Sequence, residues 1–172
     1  MRIELRPLTE SDVQAHNDGE DAETVRWLTG APGTPDSTAR HIAMLAENAV
    51  RGQGQQGFGV WLEDRLAGYV DYNPAVDDGL EPGEVNITYA THPWARGRGV
   101  AVAAVQLLCD RMAEHAEGSH AAIRVDPENH ASVRVAEKAG FTLAREVEST
   151  TDVRPDGTLA TLLVWLRDLA EV

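Results

Sequence analysis

Pro93-Trp94-Ala95-Arg96-Gly97-Arg98-Gly99-Val100-Ala101 lies between a segment with strand periodicity and one with helix periodicity, and its placement decides how the chain is read. Upstream, residues 84–91 set Glu84, Asn86 and Thr88 on one face and Val85, Ile87 and Tyr89 on the other. Downstream, Val100, Ala103, Ala104, Leu107, Leu108 and Met112 recur at helical spacing. Glycines and a small alanine let a ligand approach this backbone, and the first amides of the helix lack intrahelical acceptors. The helix end adds partial positive charge and Arg96 and Arg98 add full charges, so a pyrophosphate fits the turn. Gly97 and Gly99 have dinucleotide-fingerprint spacing, but Val102 stands where the third glycine belongs. The six-letter fingerprint occurs instead at Gly52-Gln53-Gly54-Gln55-Gln56-Gly57, where it follows a helix and opens a strand, the reverse of what a phosphate cradle needs.

Outward from this turn, residues 3–7 alternate as a short strand, Thr9 caps a helix beginning at Glu10 and Ser11, and residues 21–28 form a second short helix ending at Gly30. Thr34-Pro35-Asp36 opens a longer helix that carries Ile42, Leu45, Ala46 and Ala49 on one face and stops near Gly52. Residues 58–63 and 66–73 form a hairpin around Asp64-Arg65, and 74–83 is a connecting loop. Residues 121–125 are a short buried strand and 129–139 a helix stopped by Gly140. Two strands close the chain around Arg154-Pro155-Asp156-Gly157-Thr158. The order predicts an α/β fold, a mixed sheet with helices on its faces, in a single domain spanning residues 1–172.

Composition agrees with an ordinary globular domain: 172 residues, 42% hydrophobic and 25% charged. At this length roughly two-thirds of the unfolded surface is buried without a disulfide or metal staple. The single cysteine, Cys109, excludes an intrachain disulfide and a thiolate-rich zinc site and suits a reducing, cytoplasmic compartment. Residues 100–109 are the longest nearly apolar stretch, far short of the ~20 of a membrane span, and the N-terminus lacks the apolar core of a signal peptide. A net charge of −13 argues against nucleic acid as partner and favours cationic ligands, although such acidity also serves solubility alone. His115, His120 and His130 have no metal-ligand spacing, so no metal is expected.

A second segment, Val125-Asp126-Pro127-Glu128-Asn129-His130-Ala131-Ser132-Val133-Arg134-Val135-Ala136-Glu137-Lys138-Ala139-Gly140-Phe141, places a capping amide, Asn129, and a hydroxyl, Ser132, at one helix end. Arg96-Gly97-Arg98-Gly99-Val100-Ala101 resembles the Arg/Gln-x-x-Gly-x-Gly/Ala motif of the GNAT N-acetyltransferase superfamily. Asn129-x-x-Ser132 with Val135 to Phe141 is similar to the second signature of its branch of ribosomal-protein N-terminal acetyltransferases. Arg26-Trp27, the hairpin with Gly68 and the final strands also fall where that branch has comparable features.

The resemblance implies a centrally splayed sheet with helices on both faces, binding acetyl-CoA where two neighbouring parallel strands part. It assigns the pantetheine arm to the backbone of Ala90, Thr91 and His92, with one N–H polarising the thioester carbonyl. It gives the pyrophosphate to Arg96, Gly97, Arg98, Gly99, Val100 and Ala101, and sets Asn129 on the pantetheine and Ser132 near the sulfur. Two departures stand out: Ala136 occupies the place of a tyrosine general acid, and Arg124 that of a glutamate base.

Transfer needs a neutral amine, so an alkylammonium of pKa about 10 must first lose its proton. Glu84, with Asn86 and Thr88, could hold a water relay for that proton, and Ser132 is the remaining donor to the thiolate. Trp27, Tyr69 and Asp71 are candidates for the acceptor, as are Glu20, Asp21 and Glu23 around the first helix connection. The expected function is acetyl-CoA-dependent N-acetylation of a peptide N-terminus or a small cationic amine. A non-catalytic acyl-CoA-binding or sensing module and a protein-interaction scaffold are the alternatives, and oligomeric state is not legible.

Overall fold

Local capping fixes most helix ends. The structure, a computed structural model, describes residues 1–154 and 156–170; Pro155 of the expected final turn lies outside the described residues. They form two units: Met1–Tyr72 with Thr88–Leu108, and Asn73–Ile87 with Cys109 onward.

In the first unit β1 (Ile3–Arg6), β2 (Gln56–Leu62) and β3 (Arg65–Asn73) are antiparallel neighbours, Gly57 lying opposite Asp71 and Gly59 opposite Tyr69. The hairpin loop is Glu63-Asp64, one residue earlier than expected, with Glu63 in the left-handed region at φ 54°. A 3-10 turn, Glu10–Asp12, precedes α1 (Val13–Asp18), and the Thr9 N–H donates to Asp12 Oδ2 at 2.8 Å. The expected single helix over 21–28 is instead α2 (Ala22–Thr24) continued by a π-type turn, Val25–Thr29, that closes at Gly30.

Helix α3 (Pro35–Arg51) begins as expected, Thr34 Oγ1 accepting from the Ser37 N–H at 3.1 Å, and ends at left-handed Gly52. Its buried face is Thr38, Ile42 and Leu45, whereas Ala46 and Ala49 are exposed. A methyl group gains little by burial, and Thr38 is satisfied in the interior by donating to Asn17 Oδ1 at 2.6 Å. Ile42 and Leu45 pack with Leu8, Leu66 and Tyr69.

Strand β4 (Glu84–Thr91) contributes its first half to the second unit and its second half to the first, where it neighbours β3. Helix α4 (Val100–Glu114) is likewise shared. Its buried residues include Val100, Ala104, Val105, Leu108, Cys109 and Met112, but Leu107, expected on that face, is exposed. In the second unit β4 pairs in parallel with β5 (His120–Val125), β5 with antiparallel β7 (Leu159–Asp168), and β7 with β6 (Thr142–Val153). The β4–β5 register covers only Glu84–Asn86 against His120–Ala122. Helix α5 (His130–Lys138) lies between β5 and β6 in sequence, as expected, with Gly140 at φ 88° ending it. Among the described residues seven strands and five α-helices make a mixed α/β fold.

Asp78 organises the second unit. It accepts from Ser149 Oγ at 2.6 Å, Thr150 N at 2.7 Å and Arg124 Nη1 at 2.6 Å, where the β6 register is interrupted between Glu148 and Val153. Burial opposes its charge, but these hydrogen bonds and Arg124 prevail and hold its pKa down, at about 2.

Candidate active site

The turn between β4 and α4 has the backbone that an anion cradle requires. Gly97 and Gly99 are left-handed at φ 72° and 77°, and a Cβ built on either would meet nothing within 4 Å. The helix amides that follow include the three first-turn donors without intrahelical acceptors, the first helical bond here being Ala103 N–H to Gly99 O at 3.1 Å. The arginines divide their roles. Arg96, expected to add charge at the phosphate, grips Asp21 through both nitrogens at 2.6 and 2.8 Å and the Thr91 carbonyl at 3.0 Å. The Arg96 hydrogen bond holds the Asp21 pKa well below the usual carboxylate range. Arg98 stays on the loop, its guanidinium 6.0 Å from the Trp94 ring centre, and Arg65 stacks on the same ring at 4.1 Å.

Ala90, Thr91 and His92 lie at the end of β4 against β3. A Cβ on Gly68 would lie 2.3 Å from the Ala90 carbonyl oxygen, so the close approach of the two strands excludes any side chain there. The His92 N–H donates to Ala67 O at 2.8 Å. Its imidazole covers Gly19 and is kept neutral: burial, with His16 and nearby arginines, lowers its pKa to about 4.

The other expected catalytic residues have structural partners. Glu84 is paired with Arg145, and this hydrogen bond lowers its pKa. Asn86 is buried and its Oδ1 accepts from Arg124 Nε at 3.1 Å. Asn129 caps α5, its Oδ1 accepting from the Ser132 N–H at 3.1 Å, and Ala136 is fully buried. Glu84→Gln is expected to cost about 1.5–3 kcal/mol, the worth of charge-assisted hydrogen bonds. Because the folded pKa lies below the ordinary glutamate value of 4.5, that contribution is present above 4.5 and disappears as pH falls through the folded value. Urea unfolding of both proteins at neutral pH and near pH 3 checks this; a difference independent of pH would assign the loss to packing instead.

Tyr69 and Asp71 share the face of β3 that meets α1 and α3. The Tyr69 hydroxyl and His41 Nε2 are 3.0 Å apart, and the His16 ring meets Tyr69 edge-on at 5.7 Å. Asp71 is 3% exposed, and burial raises its pKa to about 6 against hydrogen bonds from Tyr69 and Gln55. The other acceptor candidates are engaged elsewhere. Trp27 donates to Glu23 Oε2 at 3.0 Å and stacks with Arg26, Glu20 accepts from the Gly33 N–H at 2.6 Å, and Asp21 is held by Arg96. His16 and His41 were missed from sequence, although His41 lies three residues after Thr38, at helical spacing on the buried side of α3. Among the described residues no group of three or more His, Cys, Asp or Glu could hold a metal, and no helix is long and apolar enough to cross a membrane.

Three solved structures illustrate the fold. The Salmonella typhimurium acetyltransferase that modifies the N-terminal serine of ribosomal protein L7/L12 is 21% identical, covering 96% of this chain and 94% of that one, with a TM-score of 0.78. Mycobacterium smegmatis RimJ in complex with CoA-disulfide is 21% identical over 99% and 83%, TM-score 0.81. The aminoglycoside acetyltransferase AAC(6')-Ib in complex with coenzyme A is 20% identical over 97% and 95%, TM-score 0.76. No curated protein matches the sequence. Residues 2–142 match the acetyltransferase (GNAT) domain family, more than four-fifths of the chain. The chain therefore belongs to the GNAT family and is an N-acetyltransferase.

Proposed function

We propose that this transferase carries acetyl from acetyl-CoA to a primary amine, a peptide N-terminus or a small cationic amine, by direct attack, within one catalytic domain acting in the cytoplasm. The carrying observation is the left-handed Gly97–Gly99 turn with open space over both glycines at the start of α4. That cradle fits a pyrophosphate, and Arg96 supports it from behind by tying the turn to Asp21. The backbone of Arg96, Gly97, Arg98, Gly99, Val100 and Ala101 holds the pyrophosphate, with the Arg98 side chain adding charge. Ala90, Thr91 and His92 line the pantetheine as an added strand would, and a backbone N–H among them polarises the thioester carbonyl. Acetyl-CoA supplies an activated acyl group on a thiolate leaving group; the protein's part is to orient it and to manage two protons.

Asn129 and Ser132 keep their family roles in this proposal: Asn129 toward the pantetheine, Ser132 donating to the departing sulfur. The ion pair of Glu84 and the Arg124 contact of Asn86 favour positioning roles for both, since a carboxylate held below its usual pKa is a weak proton acceptor. The acidic chain and the buried carboxylate of Asp71 beside Tyr69 support a cationic acceptor. The acceptor itself is tested by incubating the protein with acetyl-CoA and a panel of peptides, polyamines and aminoglycosides and following free thiol. Release dependent on an amine is the expected result. Binding of CoA without release for any amine would favour the acyl-CoA-binding module, to which the departures at Ala136 and Arg124 would then belong.

A further inference from the structure

Burying a carboxylate without filling its hydrogen-bonding capacity is costly, so one that persists calls for a function or a proton. Asp71 is such a group: it is almost fully buried, it takes hydrogen bonds from Tyr69 and Gln55, and its Oδ1 has no partner. Directly across the ladder on β2 stands Gly57, where a Cβ would lie 2.5 Å from the Tyr69 hydroxyl. The glycine thus makes room for the phenol, which meets both Asp71 and, at 3.0 Å, His41 Nε2 on α3. His41 is itself only half-buried. A continuous line of proton-bearing groups therefore leads from an interior carboxylate to the border of the solvent.

We propose that Asp71 receives the acceptor ammonium at Oδ1 and takes its proton, and that Tyr69 and His41 carry that proton outward. The inference rests on the transferase reading above. The step balances: one N–H bond of the alkylammonium breaks and an O–H bond forms on Asp71, leaving a neutral amine with its lone pair and a neutral carboxylic acid. The acid then gives its proton to the Tyr69 oxygen as the Tyr69 hydroxyl turns from Asp71 to donate its own proton to neutral His41, which releases it to solvent. Gly68, against Ala90, is three residues along β3 from Asp71, roughly 10 Å at 3.3 Å per residue and on the opposite face of the strand, so the amine would meet Asp71 on the α1 and α3 side of β3. The titratable groups around Asp71 suit the role. Burial raises Tyr69 and lowers His41 and His16, which keeps both imidazoles uncharged and able to accept. Glu20 acts on His16 in the opposite sense, and His92 lies beyond His16.

The test uses the full chain, saturating CoA or acetyl-CoA and n-butylamine as probe. With carboxyl-labelled aspartate, the Asp71 carbon resonance, identified by its absence in Asp71→Asn, is followed as n-butylammonium is added to the CoA complex. In parallel, kcat/KM from thiol release is measured between pH 5 and 10. The expected result is a saturable shift of that resonance, together with a wild-type profile that falls below about pH 6. Asp71→Asn should lose the inflection and about ten- to a hundredfold in kcat/KM at pH 7, recovering toward pH 10 where free amine is supplied by the solvent. Tyr69→Phe, which keeps the ring, should shift the inflection and reduce the rate near neutrality. An unmoved Asp71 resonance, or variants that follow the wild-type pH profile at any overall level, overturns the proposal. Failure of the transferase reading looks different: no amine would then release thiol from acetyl-CoA with the wild type at any pH, whether or not CoA stabilises it. Retained CoA stabilisation in the variants also certifies that they fold.

Discussion

Replacing Gly99 by leucine is expected to abolish the thermal stabilisation that acetyl-CoA gives the wild type, a weakening of at least about a hundredfold. A ligand at a hundred times its Kd stabilises the native state by about 2.7 kcal/mol, and all of that is lost if the pyrophosphate cannot reach the backbone. The free protein tolerates the change at modest cost. Nothing lies within 4 Å of a Cβ at Gly99, so the penalty is the left-handed backbone at φ 77°, about 1–2 kcal/mol for a residue with a side chain. Gly140→Leu is the control, because Gly140 is also left-handed, at φ 88°, and also opens on empty space, but ends α5. It should lower the melting temperature comparably and leave the ligand-induced shift intact. If Gly99→Leu retains the full shift, the pyrophosphate is not held at this turn.

What the sequence made legible was local chemistry. Thr34-Pro35 with Gly52, and Asn129 with Gly140, mark helix ends through backbone rules that operate within a few residues, and both helices have those ends. Tyr69 and Asp71, named as acceptor candidates, stand two residues apart on β3 and so share a face. Where side chains choose partners across the fold, the sequence was silent. Arg96 finds Asp21 at 75 residues' separation, Arg145 finds Glu84 at 61 and Arg124 finds Asp78 at 46. With 28 acidic residues in the chain each arginine had many possible mates, and no periodicity selects among them. The consequence for the site is direct, since two of these ion pairs engage expected actors: Arg96 clamps Asp21, and Arg145 holds Glu84. Helix faces erred for a different reason. Alanine carries little information about burial, and Leu107 sits at the margin of a stripe whose centre, Ala104, Leu108 and Met112, was read correctly.

Ser132→Ala is expected to lower kcat by roughly 10²–10³, within the usual worth of a positioned proton donor, with little change in acetyl-CoA binding. The structure narrows the candidates for that donor. Ala136, one turn further along α5, is wholly buried, so a tyrosine could not be accommodated there without repacking the second unit. The helix should survive the substitution, because what Asn129 Oδ1 binds is the Ser132 backbone N–H, which alanine retains. Helix capping and catalysis are therefore separable at this position. A serine whose hydroxyl served ground and transition states equally would instead raise the KM for acetyl-CoA and spare kcat. A donor to the sulfur should lose kcat most for leaving groups of high pKa. Dethia or oxygen analogues of CoA would not report this, but acyl thioesters of pantetheine analogues with more acidic thiols should narrow the gap between wild type and variant. A kcat within about twofold of wild type would pass thiolate protonation to water, which is chemically adequate for a thiol of pKa about 8.5. The Asp71 route for the amine proton would stand unaffected, because the two protons move at opposite ends of the reaction: one leaves the nucleophile before attack, the other joins the sulfur as the bond breaks.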